Sequence, residues 1–486
     1  MKNFSLTLYA FHLRHTLTEV PGEAVTDANL LWENLVKIGE NSLPFSGLKD
    51  LRSKLVCYQN GKYEPKLEAA RRTEWLTDMG ALDLGSLPTT AGFNINANLQ
   101  PFLLNDTYAV DLTLVPESSN IPIDISQLEY FQPKSLLPAN VQASLGQMLW
   151  VYGEVEPNTN CDALARKFAI GLVAGTNLNP IFIKQGELFG SLLFEYQAID
   201  PDEPDNPAKQ CYISILINQN QSSTTELATK AYDWLLHLFC SYRKIHFVYQ
   251  LALQRDQKAR EMYSQLDATI EEFKQLMSAT QIDLAKLKKL LTKLPLKSLD
   301  YNQCLQDIQA HHIAITTNIT NYKICLEKIQ DIDNGNSPQS WQEFLQKDCQ
   351  QWQEQIQTYI NYLIPGQELF GHLTNTIRGI VEIEQDERDR TTQELLQQKE
   401  AADKQRSDNL QTTIAMLGIG LSAAGIGSST APYIIPQQPT KQILPPFVTN
   451  QLHPLTQSLL FSLFLGIIGA FLGLGLSYLC RNIRKI

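Results

Sequence analysis

The chain lacks the short signatures of common catalytic centres. It contains no G-x-x-x-x-G-K-S/T phosphate loop, no G-x-G-x-x-G fingerprint, no H-E-x-x-H helix and no G-x-S-x-G elbow. Local motifs therefore point to no enzyme and to no cofactor. The eight cysteines are scattered and none forms a C-x-x-C pair, which removes the usual zinc and redox spacings. They read as core residues in a reducing compartment. Basic charge is in deficit: 40 Lys and Arg stand against 51 Asp and Glu, a formal net charge of −11. Neutralising a phosphate backbone needs clustered Lys and Arg, so nucleic acid is excluded as the main partner. The N-terminus, MKNFSLTLYAFHLRH, has no basic-then-apolar leader, and the body is expected to remain cytoplasmic.

Charge is missing altogether from two runs near the end. Residues 410–431 read LQTTIAMLGIGLSAAGIGSSTA and residues 458–480 read SLLFSLFLGIIGAFLGLGLSYLC. About twenty uncharged, mostly apolar residues suffice for a helix to cross a bilayer. The pattern predicts a transmembrane hairpin joined by a Pro-rich external loop, 432–457. A basic cytoplasmic tail, 481–486, follows and carries Arg481, Arg484 and Lys485. The expected location is the inner (plasma) membrane, multi-pass, with both termini cytoplasmic and the lipid bilayer as a partner. Gly418, Gly420 and Ala424 in the first run, and Gly469 and Gly473 in the second, have the small-residue spacing that lets helices approach in lipid. Ser422, Gly425, Gly427, Ser428, Ser429 and Thr430 are the candidates to line a pore.

The body divides by periodicity. Residues 1–221 read as an α/β sensor domain: apolar residues alternate at Phe4, Leu6, Leu8 and Ala10, at Tyr108 to Leu114, and at Cys211 to Ile217. Asn60-Gly61 marks a hairpin turn. From 222 to 365 proline becomes scarce and the period turns helical. Leu305, Ile308, His312, Ile315, Ile319, Tyr322, Leu326 and Ile329 make a heptad seam, the mark of a coiled-coil region. His312 in that seam, beside His311, is read as a register residue, the functional alternatives being a pH switch or a buried metal ligand. Pro365-Gly366 is expected to break the chain before a long stalk helix, 366–409. On that helix Glu382, Asp386 and Asp389 share a face that would concentrate cations if repeated around a ring. His12, Arg14 and His15, at the end of the first strand, are the candidates for binding a small anionic ligand.

The order of a cytoplasmic α/β domain, stacked helices and a long helix entering the first of two C-terminal spans resembles the CorA-like two-span membrane proteins. The place of that family's Gly-Met-Asn motif reads Gly425-Ile426-Gly427-Ser428-Ser429-Thr430, a departure that speaks against magnesium selectivity. The stretch TIRGIVEIEQDERDR, Thr376 to Arg390, is similar to an uncharacterised cyanobacterial group. Other CorA-like proteins without the motif resemble effectors of nucleotide-signalled antiviral defence. The resemblance implies a homo-oligomer, a pentamer, with the possibility of a nucleotide-type ligand. The expectation is thus an α+β membrane protein: an N-terminal α/β domain, a coiled-coil stalk and a two-helix hairpin. It would act as a gated ion channel or membrane-perturbing effector. The alternatives are a divalent cation transporter with an altered filter and a membrane-anchored coiled-coil scaffold that recruits a protein partner.

Overall fold

The computed structural model describes residues 1–400 except 17–23, 69–72, 205, 207–208, 220 and 280–281, with backbone alone over 393–400. Two compact units divide it, Met1–Val381 and Glu382–Ile486. The chain opens with β1 (Lys2–Leu13), α1 (Leu30–Asn41), the short helices α2 (Ser46–Lys49) and α3 (Leu51–Lys54), and the hairpin β2 (Tyr58–Gln59) and β3 (Lys62–Tyr63). Strands β4 (Leu82–Pro88), β5 (Asn94–Leu104), β6 (Thr107–Pro116) and β7 (Gly146–Glu154) lead to α4 (Cys161–Leu172). Then come β8 (Asn179–Leu188), β9 (Ser191–Ile199) and β10 (Gln210–Asn218). The helices α5 (Thr224–Lys230), α6 (Tyr232–Ser278), α7 (Leu284–Ile332), α8 (Gln339–Glu343) and α9 (Cys349–Glu400) follow. Asn60 and Gly61 take φ of +52° and +74°, the left-handed values a two-residue hairpin loop requires.

Eight strands form one sheet in the order β4-β5-β6-β1-β7-β10-β9-β8. Only β7 and β10 run parallel; the other described neighbours are antiparallel. Over the central strands both faces are covered, so alternation there sorts side chains between two cores instead of between core and water. In β1, Leu6, Leu8 and Ala10 join the core under α1 and α4, while Tyr9, Phe11 and Leu13 join the core of the long helices. In β10, Ile213, Ile215 and Ile217 take the first side, Tyr212 and Leu216 the second.

The long helices of the first unit pack along one another. α6 and α7 run antiparallel, with Arg255 Nε 3.0 Å from Asp307 Oδ2. α9 follows α6 in parallel: Tyr249 stacks on Trp352 at 4.6 Å and Arg260 lies over Tyr359 at 6.0 Å. The heptad residues Leu305, Ile308, Ile315, Tyr322, Leu326 and Ile329 are buried inside this packing. His311 is the buried histidine of α7, 2% exposed, and His312 is half-buried. The break expected at Pro365-Gly366 is absent, and α9 runs through both residues. Tyr301 explains why glycine stands there: its hydroxyl donates to the Leu363 carbonyl at 2.8 Å, and a Cβ on Gly366 would overlap it.

The expectation of a membrane protein with a transmembrane hairpin is corrected. No helix among the described residues is long and apolar enough to cross a membrane, and a multi-pass inner-membrane location is therefore not supported. The physical reason is visible in the long helices, where each buried apolar stripe alternates with charged, exposed positions. Residues 410–431, 432–457, 458–480 and 481–486 lie outside the described residues.

Gly366 and Gly371 give opposite expectations. Gly366→Ala should lower stability by about 1–3 kcal/mol through overpacking against Tyr301. Gly371→Ala, where an added Cβ meets nothing within 4 Å, should raise it by about 0.5–1 kcal/mol. Chemical denaturation followed by circular dichroism checks both, and equal effects would refute the packing account.

Candidate functional site

Between the sheet and the long helices lies a cavity of about 110 Å³. Strand alternation aims Met148 of β7 and Tyr212 and Ser214 of β10 into it. Helical spacing brings Leu238, Phe239, Tyr242 and Arg243 of α6 to the same side, and Tyr322 comes from α7. The remaining wall is Ser340 and Trp341 of α8, then Phe344 and Asp348 at the two ends of a π-helical turn, Phe344–Asp348. Such turns widen a helix by one residue and recur at functional sites. Phe344 packs on Tyr242 at 4.7 Å and on Tyr322 at 5.2 Å, and Trp341 meets Phe239 edge-on at 6.0 Å. Ile183 and Asp348 are exposed at the rim.

One buried acid holds this wall in place. Glu195 of β9 is fully buried, and its carboxylate accepts from Tyr212 Oη at 2.8 Å, from Trp341 Nε1 at 2.8 Å and from Ser340 Oγ. Burial raises its pKa, and the Ser340, Tyr212 and Trp341 donors oppose that rise. Arg243 is also buried and donates from Nε to the Leu145 carbonyl at 2.8 Å; burial lowers its pKa. His246 sits behind the aromatic wall, stacked on Phe344 at 5.4 Å with an interplanar angle of 6°. Its Nε2 has no partner among the described residues, and burial, with Arg243 nearby, lowers its pKa to about 3. The cavity is therefore an aromatic box with few polar atoms, a shape that binds an apolar or aromatic group.

The residues named from sequence fall elsewhere. His12 is 1% exposed; its Nδ1 accepts from the Ser144 amide at 3.0 Å, so Nε2 donates to the Asp27 carbonyl at 2.9 Å. Both ring nitrogens are thus committed to the fold, and burial lowers the pKa. Arg14 is buried in an ion pair with Glu68, donates to the Pro65 carbonyl at 2.9 Å and lies 3.1 Å from His15 Nδ1. Tyr108 also donates to Glu68, at 2.7 Å. The strand end therefore holds an internal ion pair. Glu382, Asp386 and Asp389 are exposed on α9. Ser422, Gly425, Gly427, Ser428, Ser429 and Thr430, and Gly418, Gly420, Ala424, Gly469 and Gly473, lie outside the described residues. Among the described residues no three His, Cys, Asp or Glu side chains converge to hold a metal ion. Sequence reasoning missed Glu195, Arg243 and Phe344. The available signal was an acid inside the otherwise apolar strand run SLLFEYQAI.

The fold and the cavity define an α/β protein with an eight-stranded sheet, a layer of long helices and a small aromatic cavity between them. Comparison with protein-family models, with curated proteins and with solved structures finds no match for the chain.

Removing the Glu195 carboxylate leaves the Trp341 indole N–H without an acceptor. Glu195→Ala should cost on the order of 3 kcal/mol in urea unfolding. His246 and His311 set an acid sensitivity. Burial depresses their pKa to about 3 and about 4, against 6.5 in the unfolded chain, so the unfolded state binds more protons below pH 6.5. The stability of the neutral form is complete above pH 6.5 and is lost progressively as pH falls toward those values. Relative to wild type, His246→Phe should gain about 1–2 kcal/mol between pH 7 and pH 5. Urea midpoints at the two pH values measure it, and a pH-independent difference would contradict the assignment.

Proposed function

We propose that this protein binds a small apolar or aromatic molecule in the cavity beneath the π-helical turn and passes the consequence into its long helices. The observation that carries this reading is the position of the turn. Phe344–Asp348 supplies two walls of the cavity and leads directly into α9, which begins at Cys349. A ligand shifts such an element only if it binds one arrangement better than another. A π turn has an obvious second arrangement, relaxation to regular α-helix, which would withdraw Phe344 from the aromatic wall. The size sets the ligand class: at about 110 Å³ the cavity is somewhat smaller than the roughly 150 Å³ apolar cavity that binds benzene. One ring, or a short branched chain, fills it.

In a second reading the long helices act as a coiled-coil scaffold that recruits a protein partner. Apolar residues on otherwise polar helix surfaces favour it: Ile313 is 67% exposed and Tyr362 70%. The heptad seam itself is unavailable, because it is buried within the chain. The helical-hairpin pore and cation-transport readings need membrane-crossing helices, which the described residues do not contain, and neither is carried further.

Fluorobenzene observed by fluorine NMR tests the cavity. Wild type should bind it, and Ile183→Trp, which plugs the rim from an exposed position, should abolish binding without altering the circular dichroism spectrum. Hydrogen exchange across 339–360 should slow on binding. Equal binding by wild type and Ile183→Trp would refute the site.

A further inference from the structure

Acids outnumber bases in the chain as a whole, but one stretch is locally basic. From Leu284 to Leu299 there are five lysines and no acid. They lie in the first turns of α7. At about 100° per residue, Lys286, Lys289, Lys293 and Lys297 fall within about 80° of helix arc, and Lys288 lies on another side. The four line a groove of about 220 Å³ whose opposite wall is Thr269 and Glu272 of α6. Packing does not account for them, since the buried positions here are Leu287, Leu290 and Leu294.

Nor does pairing. Lys286 lies 3.6 Å from Asp283, but among the described residues Lys289, Lys293 and Lys297 form no ion pair, and neither does Glu272 across the groove. Like charges three and four residues apart repel along a helix. Here three such steps follow in succession. The groove therefore holds a concentrated positive field that Glu272 and Asp283 do not cancel, on a chain of net charge −11.

We propose that this groove binds a multiply charged phosphate group, carried either by a soluble oligophosphate or by a phosphorylated lipid headgroup. Ammonium groups are compact charges with three donors each, suited to phosphate oxygens. Their spread over about 16 Å of helix fits several linked phosphates better than one small monovalent anion. Thr269 Oγ1 donates to the Gln265 carbonyl at 2.7 Å, so its hydroxyl oxygen can accept while the lysines supply the donors. The site is separate from the aromatic cavity and does not rest on the reading given for it.

The test is calorimetric titration of the full chain with sodium tripolyphosphate, beside pelleting with phosphatidylcholine vesicles that contain or lack phosphatidylinositol bisphosphate. Lys289→Gln with Lys293→Gln should weaken binding at least about tenfold. Lys258→Gln with Lys288→Gln, which removes the same charge from exposed positions outside the groove, should change it by no more than about twofold. Tripolyphosphate binding alone assigns the free oligophosphate; bisphosphate-dependent pelleting that needs Lys289 and Lys293 assigns the headgroup. Equal loss in the two variants would reduce the groove to a general basic field and overturn the proposal. So would the absence of any interaction of wild type with either probe. All four substituted lysines are exposed, so folding is retained and the comparison stays interpretable.

Discussion

The Glu195 carboxylate is the constraint on which the helical layer depends. It is fully buried in β9, where an unpaired charge would be prohibitive, and it is tolerated because three donors converge on it. Two of them, Ser340 and Trp341, belong to α8, so the carboxylate fixes where the chain returns to the sheet after α7. The π-helical turn and α9 start from that point. Apolar contact alone would let α8 slide; a buried acid with a required indole partner does not.

The same device recurs across the sheet–helix boundary. Tyr232, at the start of α6, donates to Asp111 of β6 at 2.8 Å. Lys244 pairs with Asp106, and Arg243 donates to the Leu145 carbonyl. At the far end of α7, Asp333 accepts from the Phe189 amide at 2.7 Å. Asp111 is wholly buried, and that burial raises its pKa to about 6 against the pull of Thr113, Tyr232 and Tyr9. These polar ties are directional where the large core is not, and they set the register of three long helices over one sheet face. The aromatic cavity is what remains between ties: Tyr212, Phe239, Tyr242 and Phe344 surround space that no side chain fills.

Much of the secondary structure could be read from local pattern. The alternation of β1, β6 and β10, the Asn60-Gly61 hairpin, the seam of α7 and its stop before Pro338 all follow from short-range stereochemistry. The strands β7 and β9 escaped because both of their faces are buried, which blurs the polar alternation that marks a half-exposed strand; β4 and β5 keep that alternation, as in NINANLQ. Why glycine stands at 366, beside Pro365 inside α9, was illegible for a different reason: the answer lies in Tyr301, more than sixty residues earlier, packing against it. His12 and Arg14 looked like ligand groups because sequence shows a polar cluster and not its partners, Asp27, Ser144 and Glu68.

Sequence by itself determined the deficit of basic charge, the lysine cluster of 284–299, the period of the long helices and the uncharged runs 410–431 and 458–480. Those properties belong to neighbouring residues and need no knowledge of the fold. Tertiary structure alone decided that the heptad seam is consumed inside the chain, that Glu195 anchors α8 and that the lysines face a groove instead of partners. It also decided that an aromatic cavity opens beneath a π turn. Each of these joins residues far apart along the chain, and their meeting follows from sheet order and helix packing, which no local period encodes.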